Sequence, residues 1–484
     1  MENIILWGAG NRGKVLAQLM DMCNIPITAI VDSNHKLWGK KVGKNIIENP
    51  DVLCNKDGLN LCITAAAPLV IEEIREKIKV EYNENINELS YLELIMTIYE
   101  KIDIEPLLQA PSSYKSGINS GNFSILFDCA YGLELGGIEE WTKGISIEFI
   151  KRKEYTPFIL TNYGDYHIPN ELNNHILRVD VKKDMPFSVH NISQIMNCII
   201  EHLPCILVTS KPEDTLLAGK LVQKKYNNAI KIVSGIRGGS NEIYQNYIDM
   251  KSCTDIYTCV SSDIRKNMIV KGVDPKKIFT MICPIECSEE LVRNYAIDAQ
   301  IPIRLGYAGR ITVRQKRMDL MVKLISELEN MHVNYNFEFA GEGDYVPMLQ
   351  NAINQMGCQS RVKLIGKINN NQIPQFWQQK DICINLADYE GRSRSIAEAM
   401  ANGAVPIVTA TSGVNDDISD GENGYIVNIR DYKAIAAHVL YLAHNRDILP
   451  KMGNAAYLEL KGKSSMDKHY QFWKNIISIM GSVI

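Results

Sequence analysis

The feature that most constrains this chain is the regular alternation of short apolar runs with helical patterns along nearly its whole length. Apolar runs of strand length stand at 3–7, 27–32 and 59–64, with helical patterns over 13–22 and 71–77 between them. The same rhythm resumes at 125–127, 158–161, 176–179, 205–209, 231–233, 256–260 and 278–282, and again at 304–308, 337–340, 362–365, 382–386 and 405–409. Apolar runs joined by helices are buried on both faces, which places them side by side in parallel sheets with crossover helices. The sequence therefore predicts an α/β protein of three parts. Residues 1–105 form a Rossmann-like accessory domain, 106–122 a linker, 123–298 and 299–465 two further Rossmann-like lobes, and 466–484 a terminal helix. The linker is assigned because Pro106, Pro111, Ser112, Ser113, Gly117, Ser120 and Gly121 break the periodicity. Few packing contacts are expected to cross it, so a chain beginning near Ser120 is expected to fold.

Composition excludes several functions. The 52 Lys and Arg against 56 Asp and Glu give a net charge of -4, so nucleic acid is not an expected partner. No segment approaches the ~20 apolar residues that span a bilayer, and the start carries no basic, cleavable leader, so a cytoplasmic protein is expected. The 12 cysteines are scattered, with Cys62, Cys205, Cys259 and Cys383 inside strand-like runs, which reads as reduced core residues rather than a zinc site.

The stretch from Tyr389 to Gly403 carries most of the chemistry. It follows an apolar run, turns at Gly391, and opens a helix through Ile396, Ala399 and Met400 that stops at Gly403. Glu390 stands at the helix mouth and Glu398 about two turns in. Free amides over Gly391, Arg392, Ser393, Arg394 and Ser395, with two guanidinium groups, suit an anion. Upstream, Gly309-Arg310 ends a strand and Lys316 follows, two cations suited to a diphosphate. Gly341-Glu342-Gly343 and Gly366 end two further strands, and ligands of open α/β sheets bind at those ends.

Taken together these residues resemble the family 4 (group 1) retaining glycosyltransferases, over residues 123–465 and most closely over 304–428. The family pattern is a Gly-Arg strand end, a nearby Lys, a G-x-G loop, and a Glu separated by seven residues from a second Glu that precedes Ala-Met-Ala-x-Gly. The resemblance implies the GT-B fold, with residues 123–298 the acceptor lobe, 299–465 the donor lobe, and 466–484 crossing back to the acceptor lobe. It implies that Arg310 and Lys316 hold the donor diphosphate and that Glu390 meets the transferred sugar, these three being the catalytic set. Glu398 would meet the ribose, the amides of 391–395 the distal phosphate, and 365–367 the base. Breaking an anomeric C–O bond leaves negative charge on the diphosphate and positive charge on the sugar ring, which fixed cations and a carboxylate would stabilise. No Asp-x-Asp triplet occurs, so transfer is expected without a metal.

In the other lobe, residues 125–141 look like the family's first strand with its Gly-Gly-x-Glu loop, in which Gly136 and Gly137 would admit donor phosphates. Many relatives carry a histidine after a strand of this lobe, whereas this chain has Ser210-Lys211 and Ile236-Arg237, so Lys211 or Arg237 is a candidate replacement. His167 and His190 read as surface or packed residues. In the accessory domain, Gly8, Gly10 and Gly13 form G-x-G-x-x-G between a strand and a helix, with Asp32 ending the next strand. That pattern leaves three readings open: a nucleotide or UDP-sugar site, an NAD site, or a bare structural module. It lacks a Tyr-x-x-x-Lys dyad for hydride chemistry.

The expected function is transfer of a sugar, with retention, from a nucleotide-sugar donor (a UDP-sugar favoured) to a glycan, lipid-linked or protein acceptor in bacterial surface polysaccharide synthesis. The last expectation would place the enzyme against the inner membrane face, in peripheral contact with a membrane-bound acceptor. The alternatives are a bifunctional enzyme whose first domain also modifies or senses a sugar nucleotide, and a silent nucleotide-sugar-binding partner of another transferase.

Overall fold

The computed structural model describes residues 3–55, 58–82, 86–108, 123–133, 136–164 and 167–482. Most of the linker, and Glu134 and Leu135 of the glycine loop, lie outside these residues. Contacts divide the chain into two compact units, one of 1–235 with 245–257 and 480–484, the other of 236–244 with 258–479.

The first sheet contains β1 (Ile4–Trp7), β2 (Ile27–Val31), β3 (Lys41–Val42), β4 (Asn45–Glu48), β5 (Asn60–Ile63) and β6 (Asn87–Leu89), in the order β3-β4-β2-β1-β5-β6. Helices α1 (Asn11–Met22), α2 (Pro68–Glu81) and α3 (Tyr91–Tyr99) accompany it. The second sheet contains β7 (Ser124–Cys129), β8 (Thr156–Asn162), β9 (Ile176–Val179), β10 (Cys205–Thr209), β11 (Ile230–Ile236), β12 (Ile256–Cys259) and β13 (Ile278–Thr280), in the order β13-β12-β11-β10-β7-β8-β9. Its helices are α4 (Gly137–Arg152), α5 (Val189–Glu201), α6 (Asp214–Lys225), α7 (Asn241–Asp249) and α8 (Ser262–Val270). The third contains β14 (Ile303–Ala308), β15 (Tyr335–Ala340), β16 (Val362–Gly366), β17 (Ile382–Asn385), β18 (Val405–Thr409) and β19 (Tyr425–Val427), all parallel, in the order β16-β15-β14-β17-β18-β19. Helices α9 (Met318–Asn330), α10 (Val346–Met356), α11 (Ile373–Gln378), α12 (Arg394–Ala401), α13 (Tyr432–His444), α14 (Ile448–Lys463) and α15 (Met466–Ser482) complete the chain.

All three sheets share one topological device. The chain starts at an interior strand, moves outward in one direction, then returns to the other side of that strand. The order therefore reverses between β1 and β5, between β7 and β10, and between β14 and β17. At each reversal the following loops diverge and leave a crevice at the carboxyl ends, the place where open parallel sheets bind ligands.

The expectation that few contacts cross the linker is overturned. One continuous apolar cluster joins Leu6, Leu16, Ile95 and Tyr99 of the first domain to Leu126, Phe187, Ile195, Leu217 and Met250 of the next. The agent is α3, a helix the sequence reading passed over, which is capped by Ser90 accepting from the Glu93 amide. Its buried face carries Leu92, Ile95, Met96 and Tyr99. Tyr99 donates its hydroxyl to the Phe187 carbonyl at 2.8 Å, Tyr91 meets the Phe187 ring edge-on, and Ser90 reaches Asp249 at 2.5 Å. Apolar surface of this kind stabilises at ~25 cal/mol per Å² removed from water, so the two parts gain by remaining together.

Candidate functional site

In the second unit the reversal between β14 and β17 fixes the site. Leu305 pairs with Phe337 on one side and with Ile382 on the other, so the loops after β14 and β17 emerge side by side. Glycines permit the close approach of these loops. A Cβ on Gly341 would stand 1.9 Å from the Gly309 carbonyl oxygen, and one on Gly343 would stand 2.1 Å from that of Ile311. Both glycines are thus required by loop-to-loop packing in the protein itself. Gly366 has a φ of +73° and open space around its Cα, and its carbonyl accepts from the Gly341 amide.

The loop from Arg310 to Arg317 is tied down on the far strand's loop. The Asp388 amide donates to the Gln315 carbonyl at 2.9 Å, and Gln315 Nε2 donates to the Tyr389 carbonyl at 3.0 Å and to Glu390 Oε2 at 3.4 Å. Lys316 forms an ion pair with Glu390 Oε1. Glu390 is only 8% exposed, so its carboxylate depends on these donors. Arg310 is exposed and donates to Gln315 Oε1 at 2.6 Å. Beneath them, burial and the Glu390 charge push the Tyr307 phenol well above its usual range. Arg310, Lys316 and Glu390, distant in sequence, therefore meet around Gln315, a residue the sequence reading did not single out.

The residues at the α12 N-terminus divide into two groups. Arg392 makes a two-pronged pair with Asp417, at 2.7 and 2.9 Å, and adds a bond to the Cys283 carbonyl. Its guanidinium is turned into the protein, which corrects the expectation that it reinforces an anion site at the turn. Arg394 is exposed and pairs with Glu398 at 2.7 Å, one helical turn on. Burial raises the Glu398 carboxyl above its ordinary value, against the pull of Arg394. A Cβ on Gly391 would stand 2.0 Å from the Arg237 carbonyl oxygen, so packing demands this glycine as well. Ser393 is buried and Ser395 half-buried.

In the first unit the reversal between β7 and β10 opens a cavity of about 150 Å³. Its walls come from 128–132, from Ile138 and Glu139 at the start of α4, and from Ser210, Lys211 and Glu213. Gly136 caps α4 with the Glu139 carboxylate folded over it, and Gly137 faces open space. His190 contacts the Asp180 carbonyl, away from these walls, and His167 is exposed.

At the reversal between β1 and β5, Gly8 has a φ of +121° and Gly13 must be glycine because a Cβ would lie 2.0 Å from the Gly8 carbonyl oxygen. Gly10 alone has open space where a side chain would stand. Asp32 stands at the end of β2 beside the glycine loop. Its oxygens accept from the Ala9 and Asn34 amides, both at 2.8 Å, so it braces the glycine loop.

Among the described residues no helix is long and apolar enough to cross a membrane, and no group of three or more His, Cys, Asp or Glu residues could hold a metal ion. The apolar stripe of α15 is covered, with Trp473, Ile476 and Ile477 buried.

Comparison with known proteins agrees with the α/β architecture. Residues 299–459 match the family described as "Glycosyl transferases group 1". The chain is 24% identical over 221 residues to a poly(ribitol-phosphate) alpha-N-acetylglucosaminyltransferase of Staphylococcus aureus, covering 45% of this chain and 43% of that protein. The chain spans less than half the length of the curated relatives it matches first. Among solved structures, the Anabaena protein HepE in complex with UDP superposes with a TM-score of 0.60 at 15% identity, covering 74% of this chain and all (100%) of that one. TarM of S. aureus, a mutant in complex with Fondaparinux, alpha-GlcNAc-glycerol and UDP, superposes with a TM-score of 0.52 at 12% identity, over 99% of this chain and 100% of that one. The chain thus has the GT-B fold, and its residues 299–459 carry the group 1 glycosyl transferase pattern.

Proposed function

We propose that this chain is a retaining glycosyltransferase that moves a sugar from a UDP-sugar to a hydroxyl of a bacterial surface glycan or its lipid- or protein-linked precursor. The observation that carries the reading is the Lys316–Glu390 pair, buried at the β14/β17 reversal with Gln315 and Arg310 beside it. Transfer separates charge, leaving the diphosphate negative as the sugar ring becomes positive. The pair already holds one cation and one carboxylate in a poorly hydrated place, where each counts for more than in water. A donor diphosphate exchanges Glu390 for itself as the partner of Lys316, which frees Glu390, still held by Gln315, to face the ring. Arg310, at the exposed mouth, supplies the second cation. The group 1 match and the UDP bound by structural neighbours support this reading.

The same reading has the cations do the work that a metal does elsewhere. Its test is UDP release from UDP-glucose and UDP-N-acetylglucosamine, with and without EDTA. Release that EDTA leaves unchanged supports it, and release abolished by EDTA and restored by Mn²⁺ refutes metal independence. In the first domain, the open space at Gly10 favours a nucleotide at the glycine loop. Titration of UDP-glucose and NADH into the full chain and into Gly10→Val checks it, since a side chain there would block phosphates.

A further inference from the structure

We propose that Arg317 and Asp388 are positioning residues for sugar transfer: by clamping the loop after β14 to the loop after β17, they set how Lys316 meets Glu390. Their part in transfer rests on the glycosyl-transfer reading above; the clamp itself rests on the contacts alone.

Arg317 is the joint between an anchored helix and a functional loop. Its carbonyl accepts from the Leu320 and Met321 amides at 2.9 and 3.1 Å and so opens α9, whose Met318, Met321 and Leu324 are sealed in the core. Lys316 is the residue just before it, so the angles at 317 decide how the Lys316 backbone leaves that helix. Those angles are unusual. Arg317 has a φ of +52° and a ψ of +49°, the left-handed region that residues with a Cβ seldom occupy. Residues stay there only when their surroundings hold them. Here two carboxylates do so. Arg317 Nε and Nη2 donate to Asp319 at 2.9 and 2.7 Å, and Nη1 donates to the two oxygens of Asp388 at 3.1 and 3.0 Å. The guanidinium is committed on both sides, which sets it apart from Arg310 and Lys316: it braces the loop and leaves the diphosphate to them.

Asp388 lies two residues before Glu390, so the Arg317 pair falls beside the Lys316 pair. Together with Gln315 they form a ladder between the two loops. The Asp388 amide bonds the Gln315 carbonyl, Gln315 bonds the Tyr389 carbonyl and Glu390, Lys316 pairs with Glu390, and Arg317 pairs with Asp388. The Arg317 and Asp388 side chains are 16% and 15% exposed, so solvent screens their pair little. Asp388 also has a second support. Arg430, exposed on the loop after β19, donates to it through Nε at 3.2 and 3.3 Å and through Nη2 at 2.9 Å. This arrangement lets the clamp be opened without stranding a charge. In Arg317→Gly, glycine takes the left-handed angles freely and Arg430 still satisfies Asp388. In Asp388→Asn, Arg317 still has Asp319.

The test compares Arg317→Gly, Asp388→Asn and the double variant with the wild type, all as full chains. Four quantities are measured: the melting temperature, UDP affinity by calorimetry, UDP release from UDP-glucose and UDP-N-acetylglucosamine, and amide hydrogen exchange. Misplacing reacting groups by ~1 Å costs up to ~100-fold in rate, so each single variant should lower kcat at least ~10-fold, with the UDP-sugar KM and UDP affinity within ~3-fold. Because both substitutions open one clamp, the double variant should be about as slow as the slower single one. In Arg317→Gly the melting temperature should stay within ~3 °C of the wild type. Exchange over 385–391, a stretch that holds the Asp388 amide and that this substitution leaves unaltered, should rise at least ~10-fold. Unchanged exchange there overturns the clamp. Unchanged kcat, or single effects that multiply in the double variant, overturns the positioning role. UDP affinity that falls as far as kcat overturns it too, by making Arg317 a donor contact. A wild type that releases no UDP from either sugar, with exchange still raised in Arg317→Gly, upholds the clamp and places the failure in the transfer reading.

Discussion

Four charged residues that look alike in the sequence are placed very differently by the structure. Arg310 and Lys316 sit at the mouth of a sheet reversal, Arg392 is sealed against Asp417, and Arg394 lies on an exposed helix face. Their substitutions should separate accordingly. Glu390→Gln keeps the shape and the Gln315 contact but loses the charge, so turnover should fall at least ~100-fold while UDP-sugar affinity changes little. UDP release and calorimetry on the same preparation check this, and unchanged turnover removes Glu390 from the mechanism. Arg392→Ala should act on stability instead. It leaves the Asp417 carboxylate, whose side chain is 6% exposed, with the Lys463 ammonium at 3.2 Å but without its two-pronged partner, at a cost of about 1.5–3 kcal/mol read in denaturant unfolding. The Glu390 and Lys316 positions were legible because their spacing to Gly309 and to the second glutamate repeats a family pattern. The fate of Arg392 was not, since its partner lies 25 residues on and nothing local marks the pair.

At the scale of elements, strands announced themselves because parallel strands must be apolar on both faces, and the runs at 304–308 and 405–409 have no other use. Helix α3 was missed for the same reason: a nine-residue helix that is apolar nearly all round has no stripe to show period. The terminal α15 carries a feature that only tertiary contacts could reveal. His469 Nδ1 donates to the Ile282 carbonyl at 2.8 Å, and its Nε2 accepts from the Trp473 indole at 3.3 Å. Only the neutral ring can do both. Burial, partly offset by the Ile282 carbonyl and reinforced by Arg237, lowers its pKa from 6.5 to about 3. The unfolded chain then binds a proton that the folded one refuses. This contribution is intact above pH 6.5 and is lost as pH falls toward 3, at ~1.4 kcal/mol per pH unit for one proton. The comparison is with His469→Gln. Between pH 6.5 and 4 the wild type should lose more stability than the variant, and parallel pH profiles would refute the assignment.

For the whole molecule, the question is whether the first domain is an appendage. The sequence suggested so, because Pro and Ser mark a break near residue 110 and because Arg310, Lys316, Glu390 and Glu398 all lie beyond residue 300. A linker's composition, however, reports only how the chain passes from one part to the next. It does not report what the parts bury against each other, which depends on faces far apart in sequence. Here Tyr91 and Tyr99 lie against Phe187, Met96 against Cys253, and Glu105 pairs with Lys225. A chain beginning at Phe123 would expose the apolar surface that α3 covers and lose the bond that anchors the Phe187 carbonyl. Such a chain should aggregate, or should unfold more than ~10 °C below the full protein and bind a dye for exposed apolar surface. Because truncation removes many contacts at once, Tyr99→Ala in the full chain provides the sharper measurement. It deletes a fully buried ring and one hydrogen bond, and should cost ~3–5 kcal/mol in denaturant unfolding. Tyr99→Phe, which keeps the ring, should cost only ~0.5–1.5 kcal/mol. A soluble 123–484 chain that melts with the full protein, together with a harmless Tyr99→Ala, would show that the shared core contributes nothing to stability, and the first domain would then be an independent module after all.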